Sequence, residues 1–175
     1  MENIIEMMAA RRSCRKYTSE PLTAEEIKDL KRAALMSPTS KNCHSWEYVF
    51  VEDKEVIEKL SKSKEHGASF VSGATLAIVI FGNTSKTDVW VEDAAIASAM
   101  LMIEAHSMGL GTCYVQLKGR GYSDGRTAKD IVKELLNVPE GVEPLCILAV
   151  GRPDESHRPY TDDRLEWGHI HDERF

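Results

Sequence analysis

The segment EDAAIASAMLMIEAHSM, residues 92–108, limits the possible folds of this chain more than any other stretch. Its helical pattern is apolar nearly all round and rich in Ala and Ser, so the helix must be buried on several sides with close backbone approach. Gly109 follows as the predicted C-cap residue. A chain of 175 residues can cover such a helix with the core of one domain, or with a core completed by dimerisation.

Predicted helices and strands alternate on both sides of this segment. Thr23 with Glu26, and Thr127 with Asp130, have the spacing of helix capping boxes, and Asp53 precedes a third amphipathic pattern. Runs of apolar residues predict four strands, at 48–51, 76–81, 113–117 and 145–150. The sequence therefore predicts an α+β or α/β fold, a sandwich of helices around a small sheet.

The composition is typical of a soluble globular protein, with 42% hydrophobic residues and a formal net charge of −6. The N-terminus has no apolar run of signal-peptide length, and no segment reaches the roughly 20 apolar residues that span a bilayer. We therefore expect a cytoplasmic protein without membrane contact. The acidic total argues against nucleic acid as a partner. The cysteines lie far apart, which indicates reduced thiols and no metal site: Cys14, Cys43, Cys113 and Cys146.

One short segment, RRSCRKY at residues 11–17, concentrates four cations in this acidic chain. Upstream, NIIEMMAA has the pattern of a short helix with Asn3 as its N-cap and an apolar stripe, and the stripe continues at helical spacing onto arginines. A core-facing stripe that ends in guanidinium groups needs an anion, since an unpaired buried charge is very costly. The alternative is that these cations complement the helix dipole and point at water.

The tail, residues 153–175, has few apolar residues, yet aromatic residues recur along it up to Phe175. Such a tail either frays or lies across another subunit. The aromatic residues favour the second possibility. The acidic residues on the helices, together with His106, are interpreted as solvated or packing residues.

Four stretches, in order along the chain, resemble the nitroreductase family of FMN-dependent oxidoreductases. They are RRSCRKYTSEPLTAEEI, SPTSKNCHSW, AAIASAMLMIEAHSMGLGTCYV and LLNVPEGVEPLCILAVGRPDE, and together they extend over nearly the whole chain. The resemblance implies the α+β class and a single FMN-binding domain over residues 1–175 that forms an intertwined homodimer with two FMN sites at the interface. It also implies that the tail 153–175 embraces the partner subunit.

The same resemblance implies that the arginine segment holds the FMN phosphate and ribityl chain. Arginine suits this role because its planar fork makes bidentate, charge-assisted bonds to phosphate oxygens. Lys16 is expected to be solvated. The residues that take the phosphate role by resemblance are Arg11, Arg12, Ser13 and Arg15.

A polar turn matches the family's loop from the second subunit, which lies beside the isoalloxazine ring and ribityl hydroxyls. Its residues are Pro38, Thr39, Ser40 and Asn42. From the residues alone, a helix stop followed by a surface turn explains them equally well. The family usually has a Gln-Pro pair before the Trp of this loop, whereas this chain has His44-Ser45. His44 either makes the cofactor contact of the family's glutamine, or has only a structural role and satisfies hydrogen-bonding groups of the loop.

Two further pairs resemble cofactor contacts of the family. Tyr114 and Gln116 lie on the strand that passes the pyrimidine and N5 region of the flavin, although a buried strand explains the pattern as well. Gly151 and Arg152 resemble the C-terminal contact near the phosphate, although Gly-Arg-Pro is also an ordinary strand exit.

The implied activity is reduction of nitroaromatic, quinone or related acceptors by NAD(P)H, with hydride transfer through flavin N5 in a ping-pong cycle. No side chain is assigned as catalytic, because the cofactor carries the chemistry. Two alternatives remain open. One is a flavoprotein of the same fold with another task, such as flavin reduction, dehalogenation or oxidative flavin chemistry. The other is a non-enzymatic protein that binds a different phosphorylated ligand.

Overall fold

The computed structural model describes residues 3–175, which form four antiparallel strands and five α-helices joined by short 3-10 segments. The strands are β1 (Trp46–Val51), β2 (Leu76–Asn83), β3 (Gly111–Gln116) and β4 (Val142–Gly151), in the spatial order β1-β2-β4-β3. The helices are α1 (Ile4–Ala10), α2 (Ala24–Leu35), α3 (Lys54–Ser61), α4 (Trp90–Ser107) and α5 (Ala128–Leu136). The predicted α+β class and small sheet are confirmed.

The two central strands form the most deeply buried part of the molecule. Residues of β2 and β4 alternate between two hydrophobic clusters, one shared with α2 and α4 and the other with α3 and α5. Because both faces are covered by helices, both strands are apolar almost without interruption, as in LAIVIF. In the strand order β1-β2-β4-β3, the edge strands are β1 and β3.

The predicted helix starts are confirmed by side-chain caps. Thr23 and Thr127 form complete capping boxes with Glu26 and Asp130, and the Asp53 carboxylate accepts two backbone N–H groups at the start of α3. Each cap satisfies donors that the first helical turn leaves unpaired. The helix bounds followed from these local patterns to within about two residues.

The predicted continuation of the α1 stripe onto the arginines is wrong. The helix ends at Ala10, and Arg11, its C-cap residue, already has extended backbone with φ −61° and ψ 123°. The apolar stripe also faces outward, since the exposed fractions of Ile4, Ile5 and Met8 are 60%, 65% and 53%. Apolar spacing alone could not show that the chain becomes extended in order to reach the edge of the sheet.

Helix α4 has a buried face and an apolar face that remains open. Ala94, Ala97 and Leu101 pack into the core, whereas Ile96 and Met100 are 45% and 43% exposed. Ala95 and Ala99 lie on the same open face. Within residues 3–175, no helix is both long and apolar enough to cross a membrane.

Hydrogen bonds near the beginning of the tail connect it to α1 and to the residues that follow α1. The Tyr160 N–H donates to the Ala9 carbonyl at 2.9 Å, and the Arg12 guanidinium donates to the Arg158 carbonyl at 3.0 Å. Every residue from Ser156 to Phe175 is exposed, including Trp167.

Candidate functional site

The arginine segment is fixed to the free edge of the sheet. Ser13 pairs with Thr112 of β3 in a parallel bridge, and the Cys14 N–H donates to the Thr112 carbonyl at 2.8 Å. The fit is tight, since a Cβ placed on Gly111 would lie 2.7 Å from the Cys14 sulfur. The backbone of the segment is therefore held in one position, and its long side chains project from that position.

Two guanidinium groups of this segment lie against aromatic rings. Arg12 stacks on the Tyr160 ring at 4.4 Å, and Arg15 lies 5.6 Å from the Phe70 ring centroid. Within residues 3–175, no carboxylate oxygen lies within salt-bridge distance of the side chains of Arg11, Arg12 or Arg15. Three cations without a salt-bridge partner in the described part of the chain form a site that favours an anion.

A cavity of about 270 Å³ opens beside this segment, at the C-terminal end of α4. The Glu155 carboxylate lies at its rim and accepts the backbone N–H groups of Arg15 and Lys16. These hydrogen bonds, chiefly that of Arg15, lower the pKa of Glu155. The cavity lining includes Arg11, Arg12, Cys14, His106, Thr112 and Glu155.

Lys64 belongs to the same region, and the sequence analysis did not identify it. Its ammonium group is half-buried and donates to the Gln116 carbonyl at 3.3 Å, at the end of β3. Burial, followed by the nearby charge of Arg120, lowers the pKa of Lys64. The stretch SKSKEHG carries no pattern that separates this lysine from its solvated neighbours.

Arg152 is placed differently from the arginine segment. Its Nε donates to Glu20 at 2.7 Å, and its two terminal nitrogens donate to Glu26 at 3.0 and 3.1 Å. Glu26 is also the capping-box residue of α2, so the guanidinium joins the end of β4 to the start of that helix. This geometry matches an ordinary structural arginine, and the phosphate role stays a prediction.

The remaining sheet candidates make contacts within the fold. The Tyr114 hydroxyl donates to the Gln116 side chain at 2.8 Å, and burial raises the pKa of Tyr114. Gly151 faces the Tyr17 ring, whose nearest carbon would lie 2.9 Å from an added Cβ. Within residues 3–175, neither Tyr114 nor Gln116 makes a side-chain hydrogen bond to the arginine segment, so their cofactor roles also stay predictions.

The polar turn adopts an unusual backbone conformation. Lys41, Asn42 and His44 have φ values of 50°, 54° and 48°, the left-handed region that favours glycine. The Thr39 hydroxyl accepts the His44 N–H at 3.0 Å, and the His44 ring stacks on Trp46 at 5.3 Å. Pro38 and Asn42 are exposed, whereas Thr39 and Ser40 are half-buried.

Asp93, on the first turn of α4, anchors this turn. Of the two interpretations given for the acidic residues of the helices, solvated or packing, Asp93 is not solvated, since it is 2% exposed. Its carboxylate accepts the Ser40 N–H at 2.8 Å and the Ser45 hydroxyl at 2.5 Å. A carboxylate immediately before the small-residue run AAIASA was the only sequence signal for this role.

The two parts of the predicted site lie far apart within one chain. The arginine segment is bound to β3 and lies by the C-terminal end of α4, whereas the polar turn leads into β1 and lies at the N-terminal end of α4. An 18-residue helix is about 27 Å long, and the two edge strands of this sheet are about 14 Å apart. One chain therefore does not bring the two parts together.

A family model and a solved structure both relate this chain to nitroreductases. The model of the Nitroreductase family matches residues 8–68 and 62–152. An FMN-dependent nitroreductase structure from Clostridium difficile R20291 superposes with a TM-score of 0.96 and is 37% identical, covering 98% of this chain and 99% of that one.

Two curated proteins are also similar. The FMN reductase (NADPH) of Bacillus subtilis is 34% identical over 87% of this chain and 67% of its own length. The NADPH-dependent oxidoreductase of Staphylococcus aureus strain MRSA252 is 23% identical over 97% of this chain and 72% of its own length.

Proposed function

The chain belongs to the nitroreductase family, and from that premise we propose that it is an FMN-dependent oxidoreductase. NAD(P)H is the proposed electron donor, and the proposed acceptors are nitroaromatic compounds, quinones, free flavins and related molecules. The observation that carries the proposal is the arginine segment, whose three guanidinium groups have no salt-bridge partner among residues 3–175 and whose backbone is fixed to the sheet edge.

The donors of this region fit FMN. A phosphate monoester carries up to two negative charges and three acceptor oxygens, which matches several guanidinium groups and the Ser13 hydroxyl. The neighbouring cavity of about 270 Å³ leaves space beside these groups. We assign the phosphate to Arg11, Arg12, Ser13 and Arg15, and the ribityl and ring contacts to the polar turn.

The separation of the two site halves supports a homodimer. If the open faces of two α4 helices pack antiparallel around a two-fold axis, the N-terminal end of one helix lies beside the C-terminal end of the other. The Ile96 and Met100 face and the exposed α1 stripe supply apolar surface for this contact. Each dimer then contains two composite sites, and we propose that the tail 153–175 lies across the partner. A native mass equal to one 19.6 kDa chain would contradict this arrangement.

FMN, when bound, supplies the two-electron chemistry that takes hydride from NAD(P)H and delivers electrons to the acceptor. The chain's own groups bind and orient the FMN and stabilise the charge that develops during the reaction. Lys64 supplies a half-buried ammonium group at the end of β3, suited to negative charge that develops nearby. We assign no side chain as a proton donor or nucleophile.

The location is also a proposal. All four cysteines are free thiols, as expected for a reducing compartment such as the cytoplasm.

The decisive experiment is anaerobic reduction of the purified protein. FMN-loaded protein is expected to bleach on addition of NADPH or NADH and to regain its colour on addition of a quinone or nitroaromatic acceptor. If donor and acceptor use one place in turn, initial-rate plots at several fixed acceptor concentrations are parallel, and intersecting lines would instead indicate a ternary complex. Colourless protein with no affinity for added FMN would overturn the proposal and favour a different phosphorylated ligand.

A further inference from the structure

Asp93 is an isolated acidic group in the protein interior. It is 2% exposed, and within residues 3–175 none of the salt bridges includes it. Both of its oxygens act as acceptors, Oδ1 from the Ser40 N–H and Oδ2 from the Ser45 hydroxyl. Burying a carboxylate is costly unless hydrogen bonds replace its contacts with water, so the bonds to Ser40 and Ser45 are what offset this cost.

The turn that Asp93 holds is strained. Three residues other than glycine occupy the left-handed region within four positions, a conformation that is costly for residues with a Cβ. Such a conformation persists only where its surroundings enforce it. Asp93 contacts Ser40 before the strained residues and Ser45 after them, and the Cys43 sulfur lies 3.8 Å from its Oδ2. One carboxylate therefore closes the turn at both ends.

We propose that Asp93 is a positioning residue that locks residues 40–45 into the conformation in which they meet the FMN held by the arginine segment of a second copy. The inference rests on the proposed function, since it takes the composite FMN site from it. Asp93 lies on the first turn of α4, and the open face of the same helix carries Ile96 and Met100. A single rigid element thus carries both the proposed dimer contact and the anchor of the turn.

Two hydrogen bonds converge on the Asp93 carboxylate, one on each oxygen. In Asp93→Asn the shape of the side chain is retained, but one acceptor becomes an NH₂ donor, so Ser45 keeps a hydrogen bond only if its hydroxyl turns to accept, and both bonds lose the charge assistance of a carboxylate. Glu92→Gln is the matched control, because Glu92 lies on the same helical turn, is exposed and has no hydrogen bond to the turn. Ser45→Ala removes the hydroxyl and keeps Asp93, and it serves as a second test if Asp93→Asn does not fold.

Cys43 provides a measurement that needs no cofactor. It is the one half-buried cysteine, whereas Cys14, Cys113 and Cys146 are buried. Alkylation of Cys43 by iodoacetamide in the apo-protein, followed by mass spectrometry of the peptide, reports how often the turn opens in wild type and in Ser45→Ala, which keep the carboxylate; Asp93→Asn also removes the negative charge that lies 3.8 Å from the Cys43 sulfur. Losing a hydrogen bond to a buried carboxylate is expected to accelerate this reaction roughly 10-fold in Asp93→Asn and less in Ser45→Ala, with Glu92→Gln within about twofold of wild type.

FMN titration provides the second measurement. Asp93→Asn is expected to raise the FMN Kd roughly 10-fold while the native mass stays that of the wild type. Faster alkylation with unchanged FMN affinity would show that the turn does not serve the site, and it would overturn the inference. Unchanged alkylation in both Asp93→Asn and Ser45→Ala would overturn it as well. Wild-type protein that binds no FMN would overturn the proposed function, while the alkylation rates would still test whether Asp93 holds the turn.

Discussion

The arginine segment and Arg152 carry the same charged group and are held in opposite ways. In the segment, backbone hydrogen bonds fix the chain and leave three guanidinium groups without a carboxylate within residues 3–175. Arg152 donates to two glutamates and joins β4 to α2. The difference teaches that the partner of a cation, more than its place in a motif, decides whether it is available to a ligand.

The largest expected effect comes from the segment itself. Arg11→Ala or Arg15→Ala should weaken FMN binding on the order of 10- to 100-fold, because each removes a charge-assisted contact to phosphate worth about 1.5–3 kcal/mol. The free energy of unfolding of the apo-protein should change little, since neither side chain has a salt-bridge partner among the described residues 3–175. Fluorescence titration of FMN gives the affinity, with Lys16→Ala as the control for a neighbouring exposed cation. Wild-type affinity in both arginine variants would refute the phosphate assignment.

The opposite pattern is expected for Arg152→Met. It should lower the free energy of unfolding at pH 7, because the partly buried Glu26 loses its partner, and should leave the FMN Kd within about threefold. Chemical denaturation measures the first quantity. A matched control is Arg126→Met, whose guanidinium also pairs with two carboxylates but is 47% exposed, so its effect on the free energy of unfolding should be clearly smaller than that of Arg152→Met.

The stability effect of Arg152→Met should depend on pH. Burial acts to raise the pKa of Glu26, but hydrogen bonds from Thr23 and Arg152 outweigh it and lower this pKa from its usual 4.5. A carboxyl group with a lowered folded-state pKa stabilises the protein above pH 4.5, and this stabilisation is lost as the pH falls through the folded value. The difference between wild type and Arg152→Met should therefore shrink towards pH 3. If Arg152→Met instead weakens FMN binding as strongly as Arg15→Ala, the contrast between the two regions fails.

The smallest effect is expected where the tail meets the segment. Tyr160→Ala removes the ring that stacks on Arg12 and should weaken FMN binding about two- to fivefold, because a cation–π contact at an exposed site is worth about 0.5–1 kcal/mol. Tyr122→Ala is the control, since it removes a similar stack on Arg126 away from the site. Equal affinities in Tyr160→Ala and wild type would mean that the tail does not orient Arg12.

Local features were predictable from the sequence. The capping boxes at Thr23 and Thr127, and the apolar run of β2, depend on residues a few positions apart, and the structure confirms them. The strand order and the end of α1 at Ala10 depend on contacts between distant segments. Spacing along one segment carries no information about such contacts.

The candidate site shows the same difference between local patterns, which were predictable, and contacts between distant residues, which were not. The arginine cluster and the polar turn were visible as motifs. The partners that define the roles of the individual residues were not: Asp93 lies 53 positions from Ser40, and Lys64 lies 52 positions from the carbonyl it contacts. The two carboxylates of Arg152 lie 126 and 132 positions away. Side-chain chemistry was therefore predictable, and side-chain pairing was not.

The way the arginine segment is attached has a consequence for its motion. Its backbone bonds to β3 through Cys14 and to the start of the tail through Lys16, and Thr18, the next residue, bonds to Arg152 just after β4. Because these hydrogen bonds join three distant parts of the chain to one stretch, the backbone of the segment opens only when all of them break together. Amide hydrogens such as that of Cys14 should then exchange with solvent slowly, in a cooperative sub-global opening, although the N-terminus is close by.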